Sequence, residues 1–534
     1  VLALVGACSS NRGAPASATT RPTLPTAYRA SGHAAAGDVF VHLFEWKWTD
    51  IAAECETVLG PNGFEAVQIS PPQEHVVLPG PYPWWVRYQP VSYSIERSRS
   101  GTGTEFKAMV DRCKAAGVDI YVDAVINHMA ARDRGTGSNG TAFTKYEYPG
   151  LYSRADFHEP CIITDYQNVA NVQDCELVGL SDLRTDMPAV QQKIADYLVA
   201  LARLGVAGFR IDAVKHIQPV ELDGILSRVD RTLAAERRPL PYYFAEVIDH
   251  GGEPIGARDY FGLAYSSGGA TDITEFRFRA AADKFLGTGG QRMAQLDPNG
   301  AGHAWLAEMM PSDKAVVFLE NHDTQRGRGI SYRDGDTFRL ANVWMLAQPY
   351  GYPSIMSSYA FDRASSAGRD AGPPSDSVGA TNNVRCASRL ETAAIGEWVC
   401  EHRDRAIAHM VGFRRAVAGT DLNHWWDNGA NAIAFSRGNR GFVAISLETT
   451  PLTATIPSGL PAGTYCEILS GGHGAGCVGR TVSVDAAGNV QVTLAPNTAI
   501  AIHTGARPVG GDGSERRSGQ RSAVSAQPSA VDHR

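Results

Sequence analysis

Four short apolar runs in this chain end in clusters of ionisable residues, and three of the clusters carry a carboxylate suited to cutting a glycosidic bond. The runs end Asp123-Ala-Val-Ile-Asn127-His128, Gly208-Phe-Arg210-Ile-Asp212 with Lys215 and His216 just beyond, Ala245-Glu246-Val-Ile-Asp249, and Glu320-Asn321-His322-Asp323. Period-two alternation puts Arg210 and Asp212 on one face of an extended run, with Phe209 and Ile211 on the other. Cleavage with retention needs one carboxylate to attack the anomeric carbon. It also needs a protonated carboxyl about 5–5.5 Å away to protonate the leaving oxygen. A third carboxylate can position sugar hydroxyls and raise its partner's pKa by like-charge repulsion. Asp212, Glu246 and Asp323 can fill the three roles. A single acid at a strand end is more often a loop or cap residue, and His128, His216 or His322 alone would read as a structural histidine. Three carboxylates, three histidines and Arg210 at four run ends are what point to chemistry.

Such groups must be brought to one place, and the rest of the sequence supplies a frame that does so. Short apolar runs at 39–44, 66–69, 120–125, 208–212, 242–247, 271–275, 316–319 and 354–357 alternate with amphipathic stretches such as 105–116, 189–204 and 336–347. Eight runs with helical material between them predict an α/β fold, a (β/α)8 barrel, whose active site lies at the C-terminal strand ends. The Gly/Asn/Tyr-rich stretch after the third run is too long for a structureless loop and reads as an inserted domain at 127–183. The barrel then comprises 38–126 and 184–420. Short strands with Gly/Pro turns over 421–505 predict a C-terminal all-β domain, and the polar 506–534 a disordered tail.

Composition narrows the class. The 534 residues carry a formal net charge of −7, which argues against nucleic acid as partner. No run of about 18 apolar residues follows the N-terminus, so no membrane span is expected there. Of nine cysteines, Cys55, Cys113, Cys161, Cys175, Cys386, Cys400, Cys466 and Cys477 form no C-x-x-C pair. They read as disulfides of an oxidising, secreted or cell-surface location. Short loops favour pairs 161–175, 386–400 and 466–477. Cys8 stands apart: it ends Val-Gly-Ala-Cys after an apolar run and precedes a Ser/Thr/Pro/Ala stretch, so residues 1–37 read as a signal remnant and flexible tether. The ending resembles a bacterial lipobox, which would lipidate Cys8 and tether the chain to a membrane. A plain cleaved secretion signal is the alternative.

The strand-end segments closely resemble the four signature regions of glycoside hydrolase family 13, the α-amylase family, and most closely its animal-type, chloride-dependent branch. His42-Leu-Phe-Glu-Trp46, Trp84-Trp85-Val-Arg-Tyr-Gln-Pro-Val-Ser-Tyr93, Asp174-Cys-Glu-Leu-Val-Gly-Leu180 and Trp425-Trp426-Asp427-Asn428-Gly429 extend the likeness, which runs from about Asp38 to His503. The resemblance implies an endo-acting, retaining hydrolase of α-1,4-glucan (starch, glycogen, maltooligosaccharides), monomeric, with Asp212 as nucleophile, Glu246 as acid/base and Asp323 as transition-state stabiliser. It implies sugar subsites lined by Trp84, Trp85, Tyr88, Gln89, His128, Arg210, Lys215, His216 and His322. It further implies a structural Ca2+ held by the side chains of Asn127 and Asp182 and the backbone carbonyls of Gln173 and His216, and a Cys55–Cys113 disulfide.

Two departures qualify these expectations. The branch binds chloride with two basic side chains and an Asn; Arg210 and Asn321 match, but Ser354 stands where Arg is usual, so chloride activation should be weak or absent. The normally Gly-rich loop after Arg326 reads Gly327-Arg-Gly-Ile-Ser-Tyr-Arg-Asp334, which puts its closure over substrate in question. A glucanotransferase or α-glucosidase would share the same carboxylates. A non-catalytic glucan-binding protein would be expected to lack one of them.

Overall fold

The computed structural model describes residues 39–80, 82–260, 271–298, 300, 309–471 and 476–508. Cys8, the tether at 1–37 and the tail from 509 lie outside the described residues. Eight parallel strands close into a barrel: β1 (Phe40–Leu43), β2 (Ala66–Ile69), β3 (Asp119–Ala124), β4 (Gly208–Ile211), β5 (Tyr242–Ala245), β6 (Thr271–Thr274), β7 (Ala315–Val317) and β8 (Tyr352–Ser357). Each strand pairs with its sequence neighbours, and β8 returns to β1 through Phe40↔Ser354. Burial on both faces, expected where helices cover a parallel sheet, explains why these runs are mostly apolar, with polar residues such as His42, Gln68, Asp123, Arg210 and Asp272 among them.

The barrel interior is layered. Its lower part is filled by Phe40, Tyr121, Phe244 and Tyr352, with Ala66 and Val316 as the small partners. Tilted and edge contacts at 4.8–5.6 Å join Phe40 to the three other rings, the geometry that aromatic quadrupoles favour. Above this plug the inward positions turn polar. Phe209 and Ile211 face outward into the main core shared with the helices, as the alternation along β4 requires.

Helices Gly103–Ala115, Pro188–Arg203 and Asp336–Ala347 fall within two residues of the expected spans. The first starts at a capping box, where the Thr102 amide donates to Glu105 Oε2 at 2.8 Å and the Glu105 amide to Thr102 Oγ1 at 3.3 Å. Between β3 and β4 the chain makes two small antiparallel pairs, His128–Met129 with Ser181–Asp182 and Arg134–Thr136 with Ala142–Thr144, and the short helix Val169–Asp174. Beyond the barrel, two antiparallel four-stranded sheets pack around a separate apolar core that includes Phe442, Ile456, Tyr465 and Leu494. Their strands include Leu422–Asp427, Gly463–Cys466 and Thr498–His503. Disulfides join Cys55–Cys113, Cys161–Cys175, Cys386–Cys400 and Cys466–Cys477. Among the described residues no helix is long and apolar enough to cross a membrane.

One buried polar cluster fastens the C-terminal end of β8 to helix Trp48–Glu54. His402 donates from Nε2 to Glu54 Oε1 at 2.8 Å, Ser357 Oγ lies 3.0 Å from His402 Nδ1, and Arg403 Nε donates to Glu54 Oε1 at 2.7 Å. Burial pushes the Glu54 carboxyl up, but the bonds from Arg403 and His402 outweigh it and hold the group down at about 2. A depressed carboxylate pKa stabilises the fold above the unfolded value of about 4.5, and the contribution disappears as pH falls through about 2. The shift corresponds to about 3 kcal/mol. Glu54→Gln should therefore lower stability to urea at pH 7 by about that amount, with the deficit shrinking at pH 3. An equal deficit at both pH values would contradict this role.

Candidate active site

Strand register assembles the acids. Arg210 on β4 is level with Asp123 on β3 and with Phe244 on β5. The ladder continues one step upward: the Asp212 amide donates to Ala124 O at 3.0 Å and the Glu246 amide to Ile211 O at 2.8 Å. Asp212 and Glu246 therefore stand side by side on neighbouring strands, directly above the guanidinium. Arg210 Nη1 contacts Asp123 Oδ1 and Asp212 Oδ1, and Nη2 contacts Glu246 Oε1, each at 2.6 Å. Asp123 also accepts from Tyr88 Oη at 2.8 Å, and Glu246 Oε2 from the Ala213 amide at 3.0 Å. That amide is presented by Ala213 in the left-handed region, φ 53°, where a non-glycine residue is uncommon and held by its surroundings.

Four carboxyl groups, Asp123, Asp212, Glu246 and Asp323, lie under the influence of this one guanidinium. Full ionisation would leave surplus negative charge out of water, so the group retains protons. Burial pushes Glu246 up to about 7; Arg210 opposes it, while Asp212 and Asp323 push further upward. Burial likewise raises Asp212 to about 7 and Asp123 to about 6, and raises Asp323, with Arg210 again pulling each down. His322 and His128 are held neutral chiefly by burial, His128 at about 4.

Asp212, Glu246 and Asp323 open into a cleft of about 510 Å3. One wall is aromatic. Tyr88 stacks on His322 at 5.1 Å, and Trp84 meets both rings edge-on. Trp85 and Gln89 complete that wall, with Gln89 Oε1 accepting from the Ala131 amide at 3.1 Å. The facing wall is aliphatic: Leu177, Val178 and Leu180 from the insert, then Ala213 and Ile248. Val178 is 85 % exposed and lies at φ 46°, a position that β-branched residues seldom occupy. His128 lines the cleft and contacts Tyr88 O through Nε2 at 3.0 Å.

Three expected sugar contacts are placed differently. Arg210 lies beneath the acids, bonded to three of them, rather than on the cleft wall. Lys215 is turned to the Ile248 carbonyl at 2.8 Å and to Glu253, with its ammonium 5.6 Å from the Tyr166 ring. His216 points into the insert, where Nδ1 contacts Val172 O at 2.9 Å. Asp123 is the residue that sequence reasoning left out. It belongs to the guanidinium cluster; its carboxylate near the end of the third apolar run was the available signal, while its level with Arg210 is set by strand register.

Asn127 and Asp182 meet where His128 pairs with Asp182; Asn127 Nδ2 donates to Asp182 Oδ1 at 3.2 Å, and His158 Nδ1 lies 2.7 Å from Oδ2. Burial pushes Asp182 up to about 7. The His216 bond to Val172 O brings the turn at His216 beside the helix carrying Gln173. Gln173 itself directs its side chain to Tyr260 Oη at 3.2 Å, leaving its backbone to serve as a ligand. Among the described residues no three His, Cys, Asp or Glu side chains converge as a metal cluster. The expected calcium set has one carboxylate, one amide and two carbonyls and is not of that kind. The segment after Arg326 is anchored, with Ile330 and Ser331 fully buried.

Comparison with known proteins decides the family. Residues 86–355 match the model for the α-amylase catalytic domain, and 424–505 the model for the α-amylase C-terminal all-β domain. The chain belongs to the α-amylase family. It is 44% identical over 474 residues to an α-amylase of Thermomonospora curvata, covering 87% of this chain and 73% of that one. It is 42% identical over 494 residues to mouse pancreatic α-amylase 2a5, covering 87% and 94%. Among solved structures, a mutant of α-amylase I from Eisenia fetida, crystallised with maltohexaose, superposes with a TM-score of 0.79 at 38% identity, covering 88% of this chain and 97% of that one. The chain is thus a glycoside hydrolase, an α-amylase by family.

Removing the guanidinium charge tests the electrostatics of this α-amylase site. Arg210 lowers the pKa of Asp212 and Glu246, so Arg210→Gln should move the acid limb of the kcat/KM profile to higher pH. A limb that stayed in place would show that the cation does not set the ionisation of these acids.

Proposed function

We propose that the enzyme is a retaining, endo-acting α-amylase that hydrolyses internal α-1,4 bonds of starch, glycogen and maltooligosaccharides by double displacement. The observation that carries this reading is the placement of Asp212 and Glu246 side by side on β4 and β5, both bonded to Arg210. Neighbouring strands lie about 4.8 Å apart. Both side chains also reach the two terminal nitrogens of one guanidinium, which brings the two carboxyl groups together at one point of the cleft, as a retaining pair requires.

In the first step Glu246, kept protonated by burial and by the two acids beside it, gives its proton to the glycosidic oxygen. Asp212 acts in its carboxylate form beside Arg210: it attacks the anomeric carbon, and the bond to the leaving oxygen breaks. The product is a glycosyl ester on Asp212. In the second step Glu246, now a carboxylate, takes a proton from water, whose oxygen attacks the same carbon and releases Asp212. Asp323 and neutral His322 face the sugar ring and hold its hydroxyls as positive charge develops. The aromatic wall suits glucose rings on the non-reducing side. The aliphatic wall beside Glu246 suits the leaving side, and the open cleft fits a chain that runs through it.

The residues present fit a calcium ion. Asn127 and Asp182 side chains, with the carbonyls of Gln173 and His216, are hard oxygen donors, and the buried Asp182 carboxylate gains from a cation beside it. The ion supplies structural charge neutralisation between insert and barrel. Chloride fits poorly. Arg210, Asn321 and Ser354 border a cavity of about 30 Å3 that also meets Glu320. Arg210 is already committed to three carboxylates, and Ser354 brings no second cation. The four disulfides suit export to an oxidising compartment; a lipid on Cys8 would add a membrane tether.

On starch, Asp212→Asn and Glu246→Gln should each lose several orders of magnitude in rate while remaining folded, and the first-formed reducing end should be the α-anomer. A folded variant retaining near wild-type activity, or a β-anomeric first product, would refute the assignment. Millimolar chloride added to the dialysed enzyme should leave activity unchanged. A several-fold rise would contradict the reading of Ser354.

A further inference from the structure

Arg326 lies three residues beyond Asp323, at the end of the short helical turn Thr324–Arg326, and is 8 % exposed. Its guanidinium uses each nitrogen on a different segment: Nε donates to Arg369 O at 3.0 Å, Nη1 to His322 O at 2.5 Å and Nη2 to Tyr359 Oη at 2.9 Å. Its flat faces are covered by aromatic rings, Trp84 at 4.5 Å, Phe361 at 4.6 Å and Phe44 at 5.4 Å. The Arg369 carbonyl that takes the Nε bond also accepts from Trp84 Nε1 at 3.1 Å. One guanidinium and one carbonyl therefore join the loop around Arg369 to two parts of the cleft wall, Trp84 and the backbone of His322.

The rings around it are ordered as a column. Tyr88 stacks on His322, His322 on Phe44 at 5.1 Å, and Phe44 on Tyr359 at 6.0 Å. Two members of the column, His322 and Tyr359, are bonded to Arg326, and a third, Phe44, packs on its face. Displacing the Tyr359 ring or the His322 backbone would break a bond to the guanidinium. Resting on the α-amylase reading above, we propose that Arg326 is a positioning residue: it touches no substrate, but it fixes the Trp84 platform and the His322 imidazole against the acids. Lysine cannot replace it, because a single ammonium lacks both the fork and the flat face that the rings cover.

The charge and the fork can be separated experimentally. Arg326 lowers the Asp323 pKa along with Arg210, so Arg326→Met should move the acid limb of the pH profile upward, whereas Arg326→Lys should leave it in place. Both variants should lose on the order of 10- to 100-fold in kcat/KM on maltoheptaose, because small misplacements of reacting groups are costly. KM should rise as well as kcat fall, since Trp84 contributes to ground-state binding. Arg112→Lys is the control: Arg112 pairs with Glu56 at 2.6 Å on the exposed surface of the barrel, and its replacement should leave both constants unchanged. Wild-type kinetics in Arg326→Met and Arg326→Lys, or a fall in melting temperature with unchanged kinetics and pH profile, would overturn the assignment. A wild type that hydrolysed no starch would overturn the α-amylase reading and this proposal together; an active wild type with unaltered variants would overturn only the role of Arg326.

Discussion

A single guanidinium, held inside a barrel between an aromatic plug and an open cleft, organises this molecule's chemistry. Arg210 is surrounded by Asp123, Asp212 and Glu246 at hydrogen-bond distance, and burying that many carboxyl groups without it would be prohibitive. The cation permits the acids to crowd together, and their crowding keeps protons in the cluster. Both conditions are needed by a reaction that begins with one carboxylate and one carboxylic acid side by side. The parallel sheet contributes the adjacency, because Asp212 and Glu246 follow the paired residues Ile211 and Ala245 on neighbouring strands.

Around that centre the two walls differ in kind. Rings from the β2–β3 connection and the end of β7 make a flat platform, while the insert and the ends of β4 and β5 contribute aliphatic groups. The insert reaches the cleft because His128 pairs with Asp182 and because His216 bonds to Val172 O. The same contacts gather the oxygen donors proposed for calcium, so that set of donors and the aliphatic wall of the cleft depend on the same packing of the insert.

Much of this arrangement was legible in the sequence. Each of the eight barrel strands coincides with an apolar run, since parallel strands buried on both faces leave that mark. Alternation along Phe209–Asp212 correctly separated Arg210 from its apolar neighbours. What alternation cannot show is which neighbour a side chain meets across the sheet. Asp123 was passed over because nothing in its own segment says that it is level with Arg210; that comes from register. Likewise Lys215 and His216 follow Asp212 closely in sequence, yet the turn at Ala213 carries both away to the insert and the β5 loop.

The most direct test is to trap the glycosyl-enzyme with a fluorinated maltosyl fluoride, whose fluorine slows breakdown of the ester, and to locate the sugar by peptide mass spectrometry. The structure predicts one sugar per chain, on the peptide carrying Asp212 and on that carboxylate. A label on Asp123, Glu246 or Asp323, or turnover with inverted stereochemistry and no label, would contradict the account.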